Sequence, residues 1–459
     1  MAKYVIVGNS AGAVGAIEAI RAVDPHGSLA VISDEPTPAY SRPGIAEVVA
    51  GSKTPEKITY RGEEFYRQLR VDTYFGRPVA KIGLAERRVY LEDGGALEFE
   101  KLLLATGGSP IRPPMDGADK TGVLSFTTLA DALALKARLE AVGKRVLVVG
   151  AGLIGAACSD ALVRAGARPI VVELRDRPLS LLLDEPGSEI ARRAMLRAGV
   201  ELVCNATVKQ VLGRPDDENS VGGAVLADGR KIECDAVVVA VGVRPRMQLA
   251  ADAGLQVNRG IAVNQRMETS ASDVYACGDV AEAYDCIHGG NRVVPIWPGA
   301  YRGGRVAGLN MAGRAALLDD ATAMNSLKYF GMSLVSAGEV NVDGLDDCET
   351  LRRLDLDGLD GGHYRKILLR QDRVVGFVLA GRIDRSGILN WLLRKRVDVG
   401  QFKDSLLKED FDLIDLPAEL RLAHYREATA SSGERRLAWG RPITHTAVSR
   451  TNGGINGGH

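Results

Sequence analysis

Three glycines at a fixed spacing are the feature of this sequence best suited to chemistry. Gly150, Gly152 and Gly155 follow the apolar run 146–149 and open a helical stretch, which is the pattern of a dinucleotide-binding turn. The first glycine permits the tight turn, the second lets a pyrophosphate approach the backbone, and the third lets the helix pack on the strand. The helix N-terminus then faces the phosphates with its partial positive charge. The set predicted to hold this nucleotide is Gly150, Gly152, Leu153, Ile154, Gly155 and, after a later strand, Gly242.

An acidic residue further along the same unit indicates which nucleotide binds. Glu173 ends the apolar run 169–172, eighteen residues after Gly155, where a carboxylate can accept hydrogen bonds from an adenosine ribose. The same carboxylate would repel a 2′-phosphate, so NADH is favoured over NADPH. Arg175 and Arg177 weaken that preference. The alternative is a glycine-rich turn without a ligand, which the combination of strand, helix and acid disfavours.

A second loop of small residues lies near the start of the chain. Residues 8–15, GNSAGAVG, follow the apolar run 4–7 and lead into a helical stretch. Ser10 and Ala13 stand where the fingerprint has its second and third glycines. Both are small, so a pyrophosphate can still approach the backbone. By itself this loop is equally consistent with a nucleotide site and with an ordinary turn.

Two later pieces favour the nucleotide site. Asp279 comes directly after a strand and Gly278, where it could bind a polyol hydroxyl of a cofactor. The alternative for an isolated Gly-Asp pair is a helix N-cap. Here three separate pieces all indicate a cofactor site, so we favour a second nucleotide. They are the loop 8–15, the pair Thr106–Gly107 and the pair Gly278–Asp279.

The elements that must position these residues occur twice. The strand–turn–helix unit at Gly8 recurs at Gly150, and the runs 102–110 and 237–245 are both apolar strands that break at a small residue and a glycine. Each half therefore has a βαβ unit, a β-meander and a returning strand. The predicted fold is α/β, with two Rossmann-like three-layer dinucleotide-binding domains.

The character of the chain changes at about residue 321. Residues 363–381 are predicted to form a hairpin with a turn at 371–373, and residues 386–397 to form a helix. We predict a third, α+β domain here. The tail ending in TNGGINGGH has no hydrophobic period, and we expect it to be loosely held.

The bulk composition is that of an ordinary globular protein. The 459 residues are 46% apolar and 25% charged, and 58 basic residues balance 58 acidic ones, so no net charge favours nucleic acid. The longest apolar runs, such as 236–243, are too short to span a bilayer. The strand pattern begins at Tyr4, which leaves no room for a signal peptide. Six scattered cysteines indicate neither a metal site nor a redox disulfide, and a cytoplasmic location is expected.

The motifs together resemble a known enzyme class. Seven motifs occur in the order found in the flavin-dependent pyridine nucleotide oxidoreductases with two dinucleotide domains. They are GNSAG, YSRPG, LLLATGG, LVVGAGLIG, VGVRP, YACGDVAEA and GRVAGLNMAG. The chain is most similar to the branch with rubredoxin and ferredoxin reductases, the NADH-binding part of assimilatory nitrite reductase, NADH oxidase and apoptosis-inducing factor. The resemblance covers roughly residues 3–417. It implies a glutathione-reductase-like arrangement with FAD-binding segments 1–110 and 243–320, an NAD(P)H-binding domain 111–242, a C-terminal domain 321–420 and an extension 421–459.

The resemblance also implies roles for individual residues. It implies that Gly8, Ser10, Ala11 and Ala13 bind the FAD pyrophosphate, that Arg42 lies near the phosphates, that Asp34 or Glu35 binds the adenosine ribose, and that Val79 contacts the adenine. Thr106 and Gly107 would border the flavin, Asp279 would bind the ribityl chain, and Ile296 and Trp297 would lie against the isoalloxazine. Gly12, Ala105 and Gly278 belong to the same predicted FAD-binding set. Phe330 is predicted as an aromatic residue beside the flavin, with an ordinary core phenylalanine as the alternative.

Three departures from the family pattern limit the chemistry. Pro43 occupies the position of the redox cysteine of NADH oxidases and coenzyme A disulfide reductases, so disulfide reduction through that cysteine is not expected. Many relatives pair a lysine near flavin N5 with a glutamate, and these positions hold Glu47 and Ala157 here. Glu47 could tune the flavin, hydrogen-bond the nicotinamide or be a solvated glutamate. Thr127 replaces an arginine often found before the TLxDA motif.

The function implied by the resemblance is an FAD-dependent NADH:acceptor oxidoreductase. A hydride passes from NADH to flavin N5, and electrons then pass to an iron–sulfur protein of the rubredoxin or ferredoxin kind. The alternatives are an NADH oxidase or a quinone or dye reductase, and a redox-gated interaction protein. The C-terminal domain is expected to support a homodimer or to cover the flavin.

Overall fold

The first parallel sheet begins with the N-terminal strand–turn–helix unit. The computed structural model describes residues 2–341, 347–355 and 362–427. The elements of the first segment are β1 (Ala2–Val7), α1 (Ala11–Val23), β2 (Leu29–Ser33), β3 (Ala39–Tyr40), α2 (Ile45–Val49), α3 (Pro55–Ile58), β4 (Thr59–Arg61), α4 (Glu63–Gln68), β5 (Val71–Phe75), β6 (Val79–Gly83), β7 (Arg88–Leu91), β8 (Ala96–Leu104) and β9 (Gly108–Pro110). The sheet order is β5-β2-β1-β8-β7-β6. The long strand β8 belongs to the parallel part through β1 and to the antiparallel meander through β7.

The second segment repeats this plan with a separate sheet. Its elements are β10 (Val123–Ser125), α5 (Leu129–Ala141), β11 (Arg145–Val149), α6 (Leu153–Arg164), β12 (Arg168–Val172), α7 (Glu185–Arg197), β13 (Glu201–Val203), β14 (Val208–Gly213), β15 (Val221–Leu226), β16 (Lys231–Glu233), β17 (Ala236–Val239) and β18 (Val243–Pro245). The parallel sheet has the order β10-β17-β11-β12-β13, and β14, β15 and β16 form an antiparallel sheet. Val148 and its neighbours in β11 are buried, as a two-sided parallel strand requires.

The chain then returns to the first sheet. The returning elements are α8 (Gln248–Asp252), β19 (Ile261–Ala262), β20 (Val274–Ala276), β21 (Ala281–Asp285), β22 (Gly290–Val293) and α9 (Trp297–Met311). Strand β20 pairs in parallel with β8, with Val274 opposite Leu102. The outgoing strand β9 and the returning strand β18 pair with each other, with Arg244 opposite Ser109. The proposed domain boundaries at residues 110 and 243 fall in this two-stranded ribbon.

The C-terminal part is an antiparallel sheet with one helix. Its elements are β23 (Met324–Tyr329), β24 (Met332–Gly338), β25 (Glu349–Asp355), β26 (His363–Arg370), β27 (Arg373–Ala380) and α10 (Ser386–Arg394), and the sheet order is β23-β24-β27-β26-β25. The predicted hairpin is confirmed, with its turn at Gln371 and Asp372. The predicted helix ends three residues early, because Arg396 adopts a positive φ of 50°.

One face of this sheet packs on helices α6 and α7 of the second segment. Leu334 and Val378 share a buried cluster with Ile190. The buried Lys366 Nζ lies 2.9 Å from Asp184, which caps α7, and the Tyr364 hydroxyl donates to the same carboxylate at 2.6 Å. Residues from 417 form a separate unit that is helical over 418–427, and the tail from 428 lies outside the described residues.

Helices α1 and α9 cross with their backbones in contact. A Cβ atom at Gly304 would lie 1.9 Å from the carbonyl oxygen of Gly12, and one at Gly308 would lie 2.5 Å from that of Ala16. Only glycine permits such an approach. The crossing places the start of α9 beside the start of α1, since a Cβ at Gly12 would be 3.4 Å from the carbonyl oxygen of Ala300.

Substitution at this crossing should destabilise the fold. Gly304→Ala forces the two backbones apart, and we expect a cost of about 1–3 kcal/mol, as for other overpacked cores. Thermal unfolding of the FAD-free protein measures it as a lower midpoint. Gly387→Ala in α10 is the matched control, because a Cβ there meets no atom within 4 Å. Equal midpoints for the two variants would contradict the crossing.

Candidate functional site

The glycine-rich loop after β11 has the geometry of a phosphate cradle. Gly150 has a φ of 103°, and its amide donates to Val172 O at 2.7 Å. A Cβ at Gly150 would lie 2.8 Å from Ala240 O, and one at Gly155 would lie 1.9 Å from Gly150 O. A Cβ at Gly152 would meet nothing within 4 Å. Gly150 and Gly155 are therefore packed tightly against neighbouring backbone, while the space beside Gly152 is free for a ligand.

Glu173 lies directly beside this loop. One carboxylate oxygen accepts from the amide of Ala151 at 2.6 Å, and the other accepts from the amide of Arg175 at 2.9 Å. Each oxygen keeps a second lone pair, so the carboxylate can still accept from ribose hydroxyls. Gly242, after β17 at the same edge of the sheet, has a φ of 110°, and a Cβ atom there would have no neighbour closer than 3.9 Å. The structure thus brings Glu173 to the loop that the sequence predicted it would serve.

The loop after β1 reproduces the same construction. Gly8 has a φ of 110°, and its amide donates to Ile32 O at 2.7 Å. A Cβ at Gly8 would lie 2.1 Å from Ala105 O. Gly8, Ile32 and Ala105 correspond to Gly150, Val172 and Ala240 of the other loop. Replacing the later glycines by Ser10 and Ala13 leaves this cradle intact.

Most of the predicted FAD residues lie at one edge of the first sheet. Strands β2, β1, β8 and β20 are parallel neighbours, so their carboxyl ends lie side by side. Asp34 and Glu35 follow β2, and Gly8 follows β1. Ala105, Thr106 and Gly107 follow β8, and Gly278 and Asp279 come after β20. Open α/β sheets bind ligands at this edge. Val79 begins β6 in the meander, and the chain approaches the end of β2 where the amide of Arg77 donates to Ser33 O at 2.9 Å.

Three helix N-termini at the two loops lack a side-chain cap. The N-cap residues of α1, α6 and α9 are Ser10, Gly152 and Ile296, and none makes a side-chain capping bond. Helices α5 and α7 are capped by the side chains of Thr128 and Asp184, whereas α2, α3, α4, α8 and α10 also lack a side-chain cap. The first amides of an uncapped helix remain available as donors. These donors suit the anionic phosphates of a dinucleotide.

Glu35, one of the two acids predicted for the adenosine ribose, is already engaged. Glu35 accepts from the Tyr40 hydroxyl at 2.5 Å and pairs with the guanidinium of Arg42. Tyr40 in turn accepts from the amide of Leu129 at 3.0 Å, and Arg42 donates to Thr127 O at 2.9 Å. Arg42 therefore links the first segment to Thr127, just before the start of α5.

Asp279 fits a ligand that supplies hydrogen-bond donors. Among the described residues no group donates to its carboxylate, and burial raises the pKa of Asp279 above its usual value, against the effect of Arg42. Polyol hydroxyls would satisfy this carboxylate. The predicted ribityl contact is chemically consistent with the residues present.

An aromatic group lies at the start of α9. The Trp297 ring is 38% exposed, meets Tyr60 edge-on at 5.6 Å between centroids and stacks on Tyr301 at 6.0 Å. The Tyr60 hydroxyl is buried without a hydrogen-bond partner in the described residues. A ligand that covers Ile296 and Trp297 would therefore find an aromatic surface.

Glu47 and Phe330 are linked through Arg164 and Asp160 at helix α6. Both carboxylate oxygens of Glu47 bind the guanidinium of Arg164, at 2.9 and 3.0 Å, and Ser52 donates to one of them. The hydrogen bonds from Arg164 lower the pKa of Glu47 to about 2. The amide of Phe330 donates to Asp160 at 2.7 Å, and its ring packs in clusters shared with the second segment. The contacts of Phe330 and Glu47 with a flavin stay predictions.

The structure adds residues that the sequence patterns did not indicate. Arg246 pairs with Asp34 at 2.7 Å and donates to the Ser109 hydroxyl at 3.0 Å. Its carbonyl accepts from the Thr106 hydroxyl at 3.1 Å. Arg246 directly follows the VGVRP motif, which is the signal that could have identified it. Tyr40 opens the YSRPG motif, which is a signal of the same kind, and Tyr60 had none.

The described residues contain no helix that is both apolar enough and long enough for a membrane span. Within the same ranges, no three His, Cys, Asp or Glu side chains are grouped as metal ligands would be. All six cysteines are unpaired, and Cys158 and Cys277 are buried.

Comparison with known proteins identifies the family of the chain. Residues 2–304 match the model of the pyridine nucleotide-disulphide oxidoreductase family, and residues 324–397 match that of the rubredoxin NAD+ reductase C-terminal domain. The chain is 32% identical to the NADH-dependent phenylglyoxylate dehydrogenase subunit epsilon of Aromatoleum evansii, over 86% of this chain and 92% of that protein. It is also 32% identical to an NADH oxidase of Methanocaldococcus jannaschii, over 68% of this chain and 70% of that protein.

A solved structure shows the same fold. One chain of the covalent putidaredoxin reductase–putidaredoxin complex superposes with a TM-score of 0.81 at 23% identity, covering 93% of this chain and 99% of that one. The fold and the family predicted from the sequence are confirmed. The chain belongs to the pyridine nucleotide-disulphide oxidoreductase family and is an NAD(P)H-dependent flavoprotein oxidoreductase.

Proposed function

We propose that this chain oxidises NADH through bound FAD and passes the electrons to a small iron–sulfur protein. The observation that carries the proposal is the pair of equivalent cradles at Gly8 and Gly150, each with a positive-φ glycine and an uncapped helix behind it. One cradle alone would serve a single nucleotide. Two cradles in one chain serve a nucleotide that stays bound and a second that exchanges.

The first cradle would hold FAD. The open amides at the start of α1 would bind its pyrophosphate, and Asp279 would accept from its ribityl hydroxyls. Asp34 and Glu35 lie at the end of β2, where the adenosine ribose is expected. Ile296 and Trp297 would lie against the flavin ring, with the Tyr60 ring edge-on to Trp297. When bound, FAD accepts a hydride from a nicotinamide and releases electrons one at a time.

The second cradle would hold NADH. Gly152 leaves room for the pyrophosphate at the N-terminus of α6, and Glu173 would accept from the adenosine ribose. The protein supplies orientation and electrostatics, because hydride transfer needs no side-chain acid or base. Glu47, with its pKa lowered to about 2, stays ionised at neutral pH and cannot supply a proton.

The acceptor is proposed from the C-terminal domain and from what the chain lacks. Residues 324–397 match a domain named for rubredoxin reductases, and Pro43 stands where relatives place the redox cysteine. Without that cysteine, disulfide reduction through it is not expected. A one-electron iron–sulfur acceptor fits best.

Steady-state turnover with different acceptors tests the proposal. NADH oxidation by the FAD-loaded protein should be fast with a purified rubredoxin or ferredoxin and slow with oxygen alone. Faster turnover with oxygen would favour the second candidate, an NADH oxidase, which the similarity to the Methanocaldococcus jannaschii protein supports. A quinone or dye reductase would respond only to those acceptors. A redox-gated interaction protein would bind NADH almost without turnover.

Three further points remain predictions from the sequence. They are the homodimer, the cytoplasmic location, and the domain boundaries with an FAD-binding part in 1–110 and 243–320, an NAD(P)H-binding part in 111–242, a C-terminal domain in 321–420 and an extension from 421. The pairing of β9 with β18 supports the boundaries at 110 and 243. Light scattering of the purified protein would measure the oligomeric state.

Replacing Asp279 should separate cofactor binding from stability. Asp279→Asn removes a partly buried carboxylate that lacks donors, so we expect the FAD-free protein to unfold at the same or a higher temperature. FAD affinity should fall at least about tenfold, because charge-assisted hydrogen bonds are lost. Fluorescence titration with FAD measures the affinity, and Asp319→Asn at an exposed position is the control. Unchanged FAD affinity would refute the assigned contact.

Replacing Glu173 should weaken NADH binding. Glu173→Ala removes the ribose acceptor and frees the Ala151 amide, and we expect a loss of about 1–3 kcal/mol. Binding of NADPH should weaken less, because repulsion of its 2′-phosphate is also removed. Equilibrium titration with both nucleotides measures the difference, with the exposed Glu201→Ala as control. Equal losses for NADH and NADPH would argue against discrimination by Glu173.

A further inference from the structure

A continuous chain of polar groups joins three parts of the molecule. Glu47 on α2 binds Arg164 at the end of α6 through both carboxylate oxygens, at 2.9 and 3.0 Å. Arg164 Nε donates to Asp160 at 2.9 Å, and the other oxygen of Asp160 accepts from the amide of Phe330 at 2.7 Å. We call these three side chains the Glu47–Arg164–Asp160 chain. It links the first segment, the second segment and the turn between β23 and β24.

Arg164 is held in place before it reaches Glu47. Asp160 lies one turn earlier on the same helix, is buried, and has both oxygens occupied. A cation at the last residue of α6 is also favoured by the helix dipole. The planar guanidinium then presents two parallel donors to Glu47, a geometry that fixes direction as well as distance.

The apolar side of α2 is fixed to the same helices. Ala46 and Val49 share a buried cluster with Leu129 of α5 and with Cys158 and Ala161 of α6. Helix α2 is thus a joint between the two segments, with a packed apolar face and one ionic edge. Among the described residues of α2, Glu47 is the one that forms an ion pair, and this pair is the ionic edge.

Both ends of this joint lead to a nucleotide cradle. Helix α6 begins at Leu153, directly after Gly152 of the NADH loop. Helix α2 begins directly after the turn Arg42–Gly44, whose arginine binds the predicted ribose acid Glu35. A change in the angle between α2 and α6 would therefore shift one cradle relative to the other.

We propose that Arg164 is a positioning residue for electron transfer between the two nucleotides. By holding Glu47 it keeps α2, and with it the flavin side of the site, at one distance and angle from the NADH loop. The inference rests on the proposed function. Breaking the pair leaves both cradles intact, so FAD and NADH still bind. It slows flavin reduction, because the reaction depends on the alignment of the two rings.

The test compares two ion pairs of similar exposure. Arg164→Met removes the guanidinium and keeps the aliphatic stem. Arg193→Met is the matched control, since Arg193 pairs with Glu189 at 2.9 Å within α7 and is similarly exposed. Anaerobic stopped-flow reduction by NADH gives both the NADH dissociation constant and the limiting rate. Amide hydrogen exchange of residues 45–53, without NADH, reports the joint independently of turnover.

We expect Arg164→Met to lower the limiting rate about tenfold, with less than about twofold change in FAD content and NADH affinity. Exchange over 45–53 should become faster. Glu47→Gln, which leaves Asp160 paired, should act in the same direction, and the double variant should be no slower than the slower single variant, because both remove one interaction. Arg164→Lys should recover part of the rate. Arg193→Met should match the parent.

Three results would overturn the inference. The first is that Arg164→Met and Glu47→Gln have the same limiting rate of flavin reduction as Arg193→Met. The second is that amide exchange over 45–53 becomes faster while the limiting rate does not fall. The third is that the limiting rate falls only as far as lost FAD or NADH affinity explains. Failure of the proposed function would show earlier and differently, as a parent protein whose flavin NADH does not reduce.

Discussion

The backbone contact between helices α1 and α9 at Gly12 and Gly304 is the constraint on which the rest of the structure depends. It brings two uncapped helix starts to the carboxyl edge of the first sheet, one proposed to bind phosphates and one proposed to lie against the flavin ring. Any side chain at the crossing would separate them. The many glycines of α9 therefore serve packing, and the cofactor geometry follows from that packing.

The second segment contains a second glycine cradle, and its helices α5 and α6 also bind residues of the first segment. The ribbon of β9 and β18 connects the sheets, and helix α2 packs between them on α5 and α6. Arg42 and Tyr40 fasten one end of this connection to the start of α5, and Arg164 fastens the other. The resemblance implied a lysine near the flavin at this position of the family pattern. Here the charge at position 47 is inverted and is satisfied by a helix of the nucleotide-binding half.

The sequence predicted what depends on local pattern. The glycine loops, the acid after each second strand and the repeat of the whole unit follow from spacing alone, and the structure shows Gly8 and Gly150 in the same conformation. The sequence could not predict contacts between distant segments. Glu47 and Arg164 are 117 residues apart, and Asp34 and Arg246 are 212 apart. Such pairs are decided by how the two sheets are set against each other, and no local periodicity encodes that.

The central claim is that the two cradles hold FAD and NADH close enough for direct reduction. Anaerobic titration of the FAD-loaded protein with NADH, followed by flavin absorbance near about 450 nm, tests it most directly. The account predicts complete loss of that absorbance at about one NADH per FAD, because one hydride carries the two electrons that FAD accepts. Full flavin absorbance with NADH demonstrably bound would contradict it.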